Sequence, residues 1–238
     1  MKLARPDVFH PRIVLAGCPG LAAGDPDDAG LVAALRHRGL HAHWLAWDDP
    51  ETLRADLVIL RATRDHAARL KEFLDWTTAV RNLLNPPAVV AWNARRNYLA
   101  DLADRGVPTM PVEVPAPDGR VRRPGADETV LIFIGGTPSH AFTERAGLIE
   151  PDFEVWDAGA AALAGAAARA GVDVGELLYA RAHLVDGRLR QLQLVDPSLG
   201  WAHLDADTRD RAQRGFALAV ESACERLGLG PFTRPFPQ

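Results

Sequence analysis

Cysteine, methionine and tyrosine each occur only twice in the 238 residues. Cys18 and Cys224 stand far apart, with no histidine or second cysteine at metal-ligand spacing, which argues against a local zinc site or a disulfide framework. Reduced thiols in a cytoplasmic protein are the expectation. No apolar run approaches the length of a spanning helix, and Met1 to His10 carries proline and charge where a signal peptide needs an apolar stretch, so neither export nor a membrane is expected. A net charge of −4 and the lack of a basic stripe interleaved with aromatics argue against nucleic acid. The short run Arg120, Arg122, Arg123 reads as a solvated linker. The most informative scarcity is local: the polar face of a hairpin expected from Leu177 to Leu199 has hardly a carboxylate.

Leu178, Ala180, Ala182 and Leu184 alternate with Tyr179, Arg181, His183 and Val185, and Leu192 and Leu194 alternate with Gln191 and Gln193, which reads as two half-buried strands. A three-residue loop, Asp186-Gly187-Arg188, pairs His183 with Gln191 and Arg181 with Gln193, whereas a two-residue loop mixes apolar with polar on both faces. The first register gathers four donor-capable side chains on one face, with Arg181 as the sure charge.

Upstream, Arg12–Ala16 reads as a buried strand, followed by a helix from about Pro26 or Asp27 to Arg38, capped by Asp25 or Asp27. Strands at His41–Leu45, Ala55–Arg61 and Ala88–Trp92 and a helix at about Asp65–Arg81 complete an alternating pattern, and so a parallel sheet with ligands at strand C-terminal ends, where Arg61, Thr63, Asp65 and Asn93 fall. Val130–Ile134, Gly135-Gly136 and Ser139–Phe142 form a second hairpin, Ala158–Ala170 a helix and Asp207–Leu227 a long last helix. The Gly/Pro-rich tail from Gly228 is non-helical and suited to lie on a neighbouring subunit.

The segments Leu178-Tyr-Ala-Arg-Ala-His-Leu-Val185 and Gln191-Leu-Gln-Leu-Val-Asp-Pro-Ser-Leu199 resemble the closing strands of an actinobacterial ATP-grasp group that includes cyclo-ligases and amino-acid ligases of antibiotic pathways. Further signposts occur in the same order: Asp25-Pro-Asp-Asp28, Trp47-Asp-Asp-Pro50, Arg61-Ala-Thr-Arg-Asp65, Leu84-Asn-Pro86, Trp92-Asn93 with Tyr98-Leu99, Gly106-Val-Pro108 and Ser139-His-Ala141. Members typically read Tyr-Ala-Arg-Val-Asp-Leu and then Glu-Leu-Glu-Leu, the three carboxylates holding the metal that bridges ATP phosphates. Those positions are His183, Gln191 and Gln193 here, while Arg181, Pro197 and Ser198 persist. The family's lysine after Trp-Asn corresponds to Arg96, and an aromatic pair corresponds to Arg64 and His66. Between Val114 and Glu128 the family inserts a nucleotide-covering subdomain, where this chain has only Pro115 to Ala126, a linker in composition.

The resemblance thus implies an α/β fold: a Rossmann-like pre-ATP-grasp parallel domain over 1–112, a linker over 113–127, and an α+β lobe with an antiparallel sheet over 128–238, together a reduced, truncated ATP-grasp core. It implies neither nucleotide nor metal, and no cofactor is expected. His183 and His140 are the catalytic candidates; Arg181, Arg61, Gln191, Gln193, Ser139 and Asn93 are the anion- and substrate-binding candidates. Each has a plainer role open to it. Arg181 either pairs with Asp196 or Glu176 or receives an external anion; His183 and His140 are otherwise bonded sheet residues; the glutamines otherwise avoid stranded carboxylates. Asp65 and Asp28 read as caps, Cys18 as a loop thiol, and Trp201 as a pocket wall. The expected activity is a nucleotide-independent cyclase or eliminase of specialised metabolism, acting on a small amino-acid-derived substrate with a sulfate or phosphate ester, and working as a homodimer or with a homologous chain. The alternatives are a non-catalytic subunit that stabilises an active homologue, or a binding protein for an acidic metabolite.

Overall fold

The computed structural model describes residues 10–95, 97–111 and 128–230. The expected linker 113–127 with its arginine run, Arg96 and the end of the tail lie outside the described residues.

The first sheet is parallel, in the order β2-β1-β3-β4, from β1 (Ile13–Gly17), β2 (Ala42–Ala46), β3 (Leu57–Ala62) and β4 (Leu83–Leu84). Every residue of β1 and β3 is buried, as continuous Ile/Val/Leu runs require in a sheet covered on both faces. On one side lie α1 (Leu31–His37) and the long α6 (Ala206–Arg226); on the other α2 (Leu70–Ala79) packs Phe73 and Trp76 against Val58 and Leu60. The second sheet is antiparallel, in the order β7-β6-β5-β8-β9, from β5 (Thr129–Ile134), β6 (Thr137–Thr143), β7 (Gly147–Ile149), β8 (Tyr179–Val185) and β9 (Arg188–Gln193). One face packs on α5 (Phe153–Ala170) through Leu131, Phe133 and Ala182, and the other joins the first sheet's core through Ile132, Tyr179 and Phe216. Among the described residues no helix is long and apolar enough to cross a membrane.

Three helix and strand expectations are corrected. The segment Ala88–Trp92 is not a strand but lies in helix α3 (Pro87–Asn93), and the parallel sheet is completed by Leu83–Leu84. A five-residue apolar run has no decisive period, and Pro86-Pro87 presets helical φ at its start. α3 lies between two cores, Val90 facing α2 and Val89 and Trp92 facing α5; with α4 (Tyr98–Ala103) it belongs as much to the second lobe as to the first. The helix expected from Pro26 is broken at Gly30 (φ 101°), where a Cβ would come within 2.6 Å of the Gln213 amide, leaving a one-turn 3₁₀ helix at Pro26–Asp28 capped by Asp25. The helix expected from Asp65 begins at Leu70.

The β8–β9 turn has two residues, Asp186 (φ 49°) and Gly187 (φ 70°), rather than three. Arg190 then forms a bulge opposite His183 and Leu184, and this extra residue restores the expected pairs His183–Gln191 and Arg181–Gln193. β8 is an interior strand covered on both faces, so it is nearly fully buried rather than half-buried.

The two sheets are joined by buried polar side chains that satisfy each other's backbone. Asn85 donates to the carbonyls of Tyr179 (3.0 Å) and Leu194 (2.8 Å) and accepts from Leu178 N–H (2.7 Å). Tyr179 donates its hydroxyl to Leu60 O at 2.6 Å. Asn85→Ala strands two carbonyls and one N–H away from water, so urea unfolding should show a loss of about 3 kcal/mol; a loss below about 0.5 kcal/mol would mean that the joint is solvated.

Candidate functional site

Pairing across the second sheet puts His140, Ile132, Arg181 and Gln193 in one row and Phe142, Val130, His183 and Gln191 in the next, all on the face turned toward the first sheet. Arg181 and His183 form a defined unit. Arg181 Nε donates to His183 Nε2 at 2.9 Å and Nη1 to the Ser198 carbonyl at 3.1 Å; Nη2 is 3.8 Å from Glu144, and the guanidinium lies over the Phe142 ring. A guanidinium only donates, so His183 Nε2 must be the acceptor and Nδ1 must carry the proton, which faces Glu128 Oε1 at 3.1 Å. Glu128 also pairs with Arg190, the bulge residue. Burial, and next the Arg181 charge, hold the His183 pKa below its usual value, while Glu128 and the Gln193 amide oppose that shift. Arg181 pairs with neither Asp196 nor Glu176.

His140 lies two strands away, about 10 Å across the sheet. Its Nε2–H donates to the Leu199 carbonyl (2.8 Å), leaving Nδ1 to accept from the Ser139 hydroxyl (3.0 Å). Burial lowers its pKa, so the ring is neutral at pH 7. Ser139 and His140 border a cavity of about 690 Å³ between β6 and α6, which neither Arg181 nor His183 lines.

Two candidates are frame residues. Asn93, at the end of a helix and not of a strand, donates to Leu192 O (2.9 Å) and accepts from Leu194 N–H (2.8 Å), tying down β9. Arg61, 1% exposed, is held by both carboxylate oxygens of Asp28 (2.8 and 3.2 Å) and by the Pro197 carbonyl (3.1 Å). Burial acts to lower its pKa, but Asp28 reverses this and raises it. Asp28 is therefore an ion-pair partner rather than a cap, and Trp201, expected as a wall, donates its indole N–H to it at 3.2 Å. Asp65 accepts from Trp47, and both cysteines are buried and free.

Beside this pair opens a cleft of about 240 Å³ bordered by Asp27, Arg61, Arg64, Asp196, Ser198 and His203. Ser198 connects it to the Arg181 unit: its hydroxyl donates to Asp27 (2.7 Å) while its carbonyl receives Arg181. Asp196 and Glu128 are the residues that reading the sequence missed. Asp196 accepts from the Thr63 backbone and shares Arg61 with Asp28; burial, with Asp28 repulsion added, pushes its carboxyl up to about 7 against the pull of Arg61. The signal was present in Val195-Asp-Pro197, but only the folded chain brings a second carboxylate to the same arginine.

The donor set on this face does not fit a magnesium–nucleotide group. The positions at which the resembled family carries its metal ligands hold an imidazole with both nitrogens engaged and two neutral amides beside a guanidinium, and Glu128, the carboxylate beside that imidazole, is committed to His183 and Arg190. A hard dication needs several anionic oxygens, and among the described residues no three His, Cys, Asp or Glu side chains gather as a metal requires.

The two-sheet architecture is that of the ATP-grasp proteins: D-alanine–D-alanine ligase from Bacillus anthracis, complexed with ATP, superposes with a TM-score of 0.61 over 91% of this chain and 97% of that one, at 11% identity. The chain is an ATP-grasp fold relative. More particularly it is similar to DcsG: the crystal structure of D-cycloserine synthetase DcsG superposes at a TM-score of 0.73, covering 91% of this chain and 99% of that one at 24% identity. Residues 13–85 match the family described as the D-cycloserine synthetase DcsG N-terminal domain. The cycloserine biosynthesis protein DcsG of Streptomyces lavendulae is 36% identical over 98 residues, 39% of this chain and 33% of that protein, so the match spans about a third of that relative's length. The expected fold, a parallel sheet followed by an antiparallel lobe, is borne out.

Because the folded pKa of Asp196 lies above its unfolded value near 3.8, the native state binds the extra proton between about pH 4 and 7. Stability is therefore highest below the unfolded pKa and falls as pH rises through 7. Asp196→Asn should remove this slope, leaving the variant more stable than wild type at pH 8 by up to about 4 kcal/mol, the bound set by a three-unit shift. Thermal melts of both proteins from pH 5 to 8 check it, and parallel curves would contradict it.

Proposed function

We propose that this protein works in the biosynthesis of a small amino-acid-derived antibiotic, on a substrate that brings its own anionic leaving group and needs no nucleotide. The observation that carries the reading is the Arg181–His183 unit with Gln191 and Gln193 at the positions where the resembled fold holds magnesium carboxylates. The similarity to DcsG supports the metabolic setting. Arg181 receives a sulfate or phosphate ester, for which a planar, permanently charged donor is suited.

The reaction is an intramolecular closure. The substrate amine forms a bond to carbon, the carbon–oxygen bond to the ester breaks with its electron pair leaving as sulfate or phosphate, and the amine proton passes to a base. Asp196, at the cleft that shares Ser198 with Arg181, is the carboxylate assigned to that proton, with a pKa of about 7 suited to transfer near neutrality. His183 positions Arg181, having no free nitrogen of its own. Orientation and leaving-group stabilisation supply the rate.

Sulfate at one hundred times its dissociation constant should stabilise the purified chain by about 2.7 kcal/mol in a thermal-shift titration. Arg181→Ala should abolish that shift, and ATP with magnesium should give none. Tight, magnesium-dependent ATP binding overturns the reading. If the isolated chain turns over nothing and a homologous partner keeps full activity with Arg181→Ala, the protein is a stabilising subunit instead.

A further inference from the structure

We propose that Arg181 is a stored anion grip, released when His183 takes up a proton, and that Glu128 is the residue positioning the ring for this exchange. The inference rests on the reading of Arg181 as the anion-binding residue. In the structure Arg181 is largely withdrawn, its side chain 13% exposed. Nε is bonded to His183, Nη1 to Ser198 O, and Nη2 faces Glu144. An incoming anion has to compete with these partners.

The bond to His183 exists in one protonation state alone. Neutral His183 with its proton on Nδ1, directed at Glu128, offers Nε2 as an acceptor. A second proton must go on Nε2. Two donors and two positive charges then face each other where a hydrogen bond stood, and Arg181 loses its tether. The protonated ring has its own partners, since Glu128 and the Gln193 amide both favour it. The groups facing the imidazole are Arg181 from β8, Gln193 from β9 and Glu128 ahead of β5, with Arg190 of β9 holding Glu128 from outside. The hydrophobic neighbour Val130, paired with His183 across the sheet, contributes to the burial that disfavours the charged ring at rest.

An anion drawn to Arg181 reverses that balance, because it attracts the second positive charge as well. Proton uptake by His183 and anion binding therefore reinforce each other, and by linkage each strengthens the other equally. The site passes from one cation tethered to the ring to two adjacent cations, with Arg181 Nε released toward the anion.

Sulfate is the probe, since its charge does not change between pH 5 and 8. Calorimetric titration of the full chain should show affinity rising from pH 7.5 to 5.5, by at most about tenfold for each unit by which sulfate raises the His183 pKa. His183→Gln keeps an acceptor without a titration, so it should bind sulfate with a flat profile; Glu128→Gln should reduce the acid-side gain. Long-range ¹H–¹⁵N correlation spectra of the wild type should find the Nδ1–H tautomer of His183 at pH 7.5, a readout independent of how the variants fold. Equal sulfate affinity at both pH values, or the Nε2–H tautomer, overturns the exchange while leaving Arg181 as an anion site. A pH step that survives in His183→Gln and disappears in His203→Asn also overturns it, by assigning the proton to the imidazole beside Glu144. No sulfate binding at any pH brings down the Arg181 reading itself, and with it the exchange.

Discussion

The buried ion pair between Asp28 and Arg61 is the constraint on which the arrangement of this molecule turns. Arg61 ends β3 in the first sheet, Asp28 sits on the 3₁₀ turn before α1, and the remaining guanidinium contact reaches Pro197 in the loop after β9. Three segments remote in sequence are thereby held at one point, with Tyr179 under the guanidinium and the Trp201 indole on the carboxylate. Two desolvated charges contribute little net stability when paired, but losing either partner leaves the other stranded, at a cost of about 3–5 kcal/mol. The pair therefore acts chiefly as a geometric pin. It fixes the course of Pro197 and Ser198, and so the carbonyl that receives Arg181.

Its charge balance also determines the neighbouring cleft. One buried arginine faces two carboxylates, and Asp28 holds it by two hydrogen bonds. Asp196 is left with a share of the same positive charge and little water, and that is why its proton is retained to about pH 7. On the facing sheet the same kind of accounting runs with the opposite sign. Arg181 has no carboxylate within hydrogen-bond distance among the described residues, and its closest partner is an imidazole lone pair. An acid-rich cleft and a cation-bearing strand thus meet at Ser198.

Much of this frame was legible in the sequence, for physical reasons that differ by element. β1 and β3 declare themselves because fully buried strands are unbroken apolar runs, and the β5–β6 hairpin because Gly135-Gly136 takes positive φ. The β8–β9 partners were legible although their turn was not: the requirement that polar side chains share a face holds whether a third loop residue or a bulge at Arg190 absorbs the extra length. The helix over Pro87–Asn93 was not legible, because Val-Val-Ala-Trp between two cores has no polar face to reveal a period. At the site, Arg181, His183 and the two glutamines stand together as read, whereas Arg61 and Asn93 turn out to serve the frame. A buried arginine and a ligand-binding arginine look alike in a sequence. What separates them is whether a carboxylate such as Asp28, thirty-three positions away, arrives first.

On the proposed reading, charge balance also limits the chemistry open to this face. Holding a triphosphate requires offsetting several negative charges at once, and one tethered guanidinium between neutral amides offsets one. A monoester leaving group asks for less: a single planar donor pair on its oxygens as the bond breaks, and a base of matched pKa on the other side of the reacting centre. Arg181 and Asp196 have those properties separately, and Ser198 is the segment through which each is placed relative to the other. On the proposed reading, an imidazole and two amides where the resembled family carries three carboxylates leave the sheet face cationic, and a cationic face suits substrates whose negative charge is covalently their own.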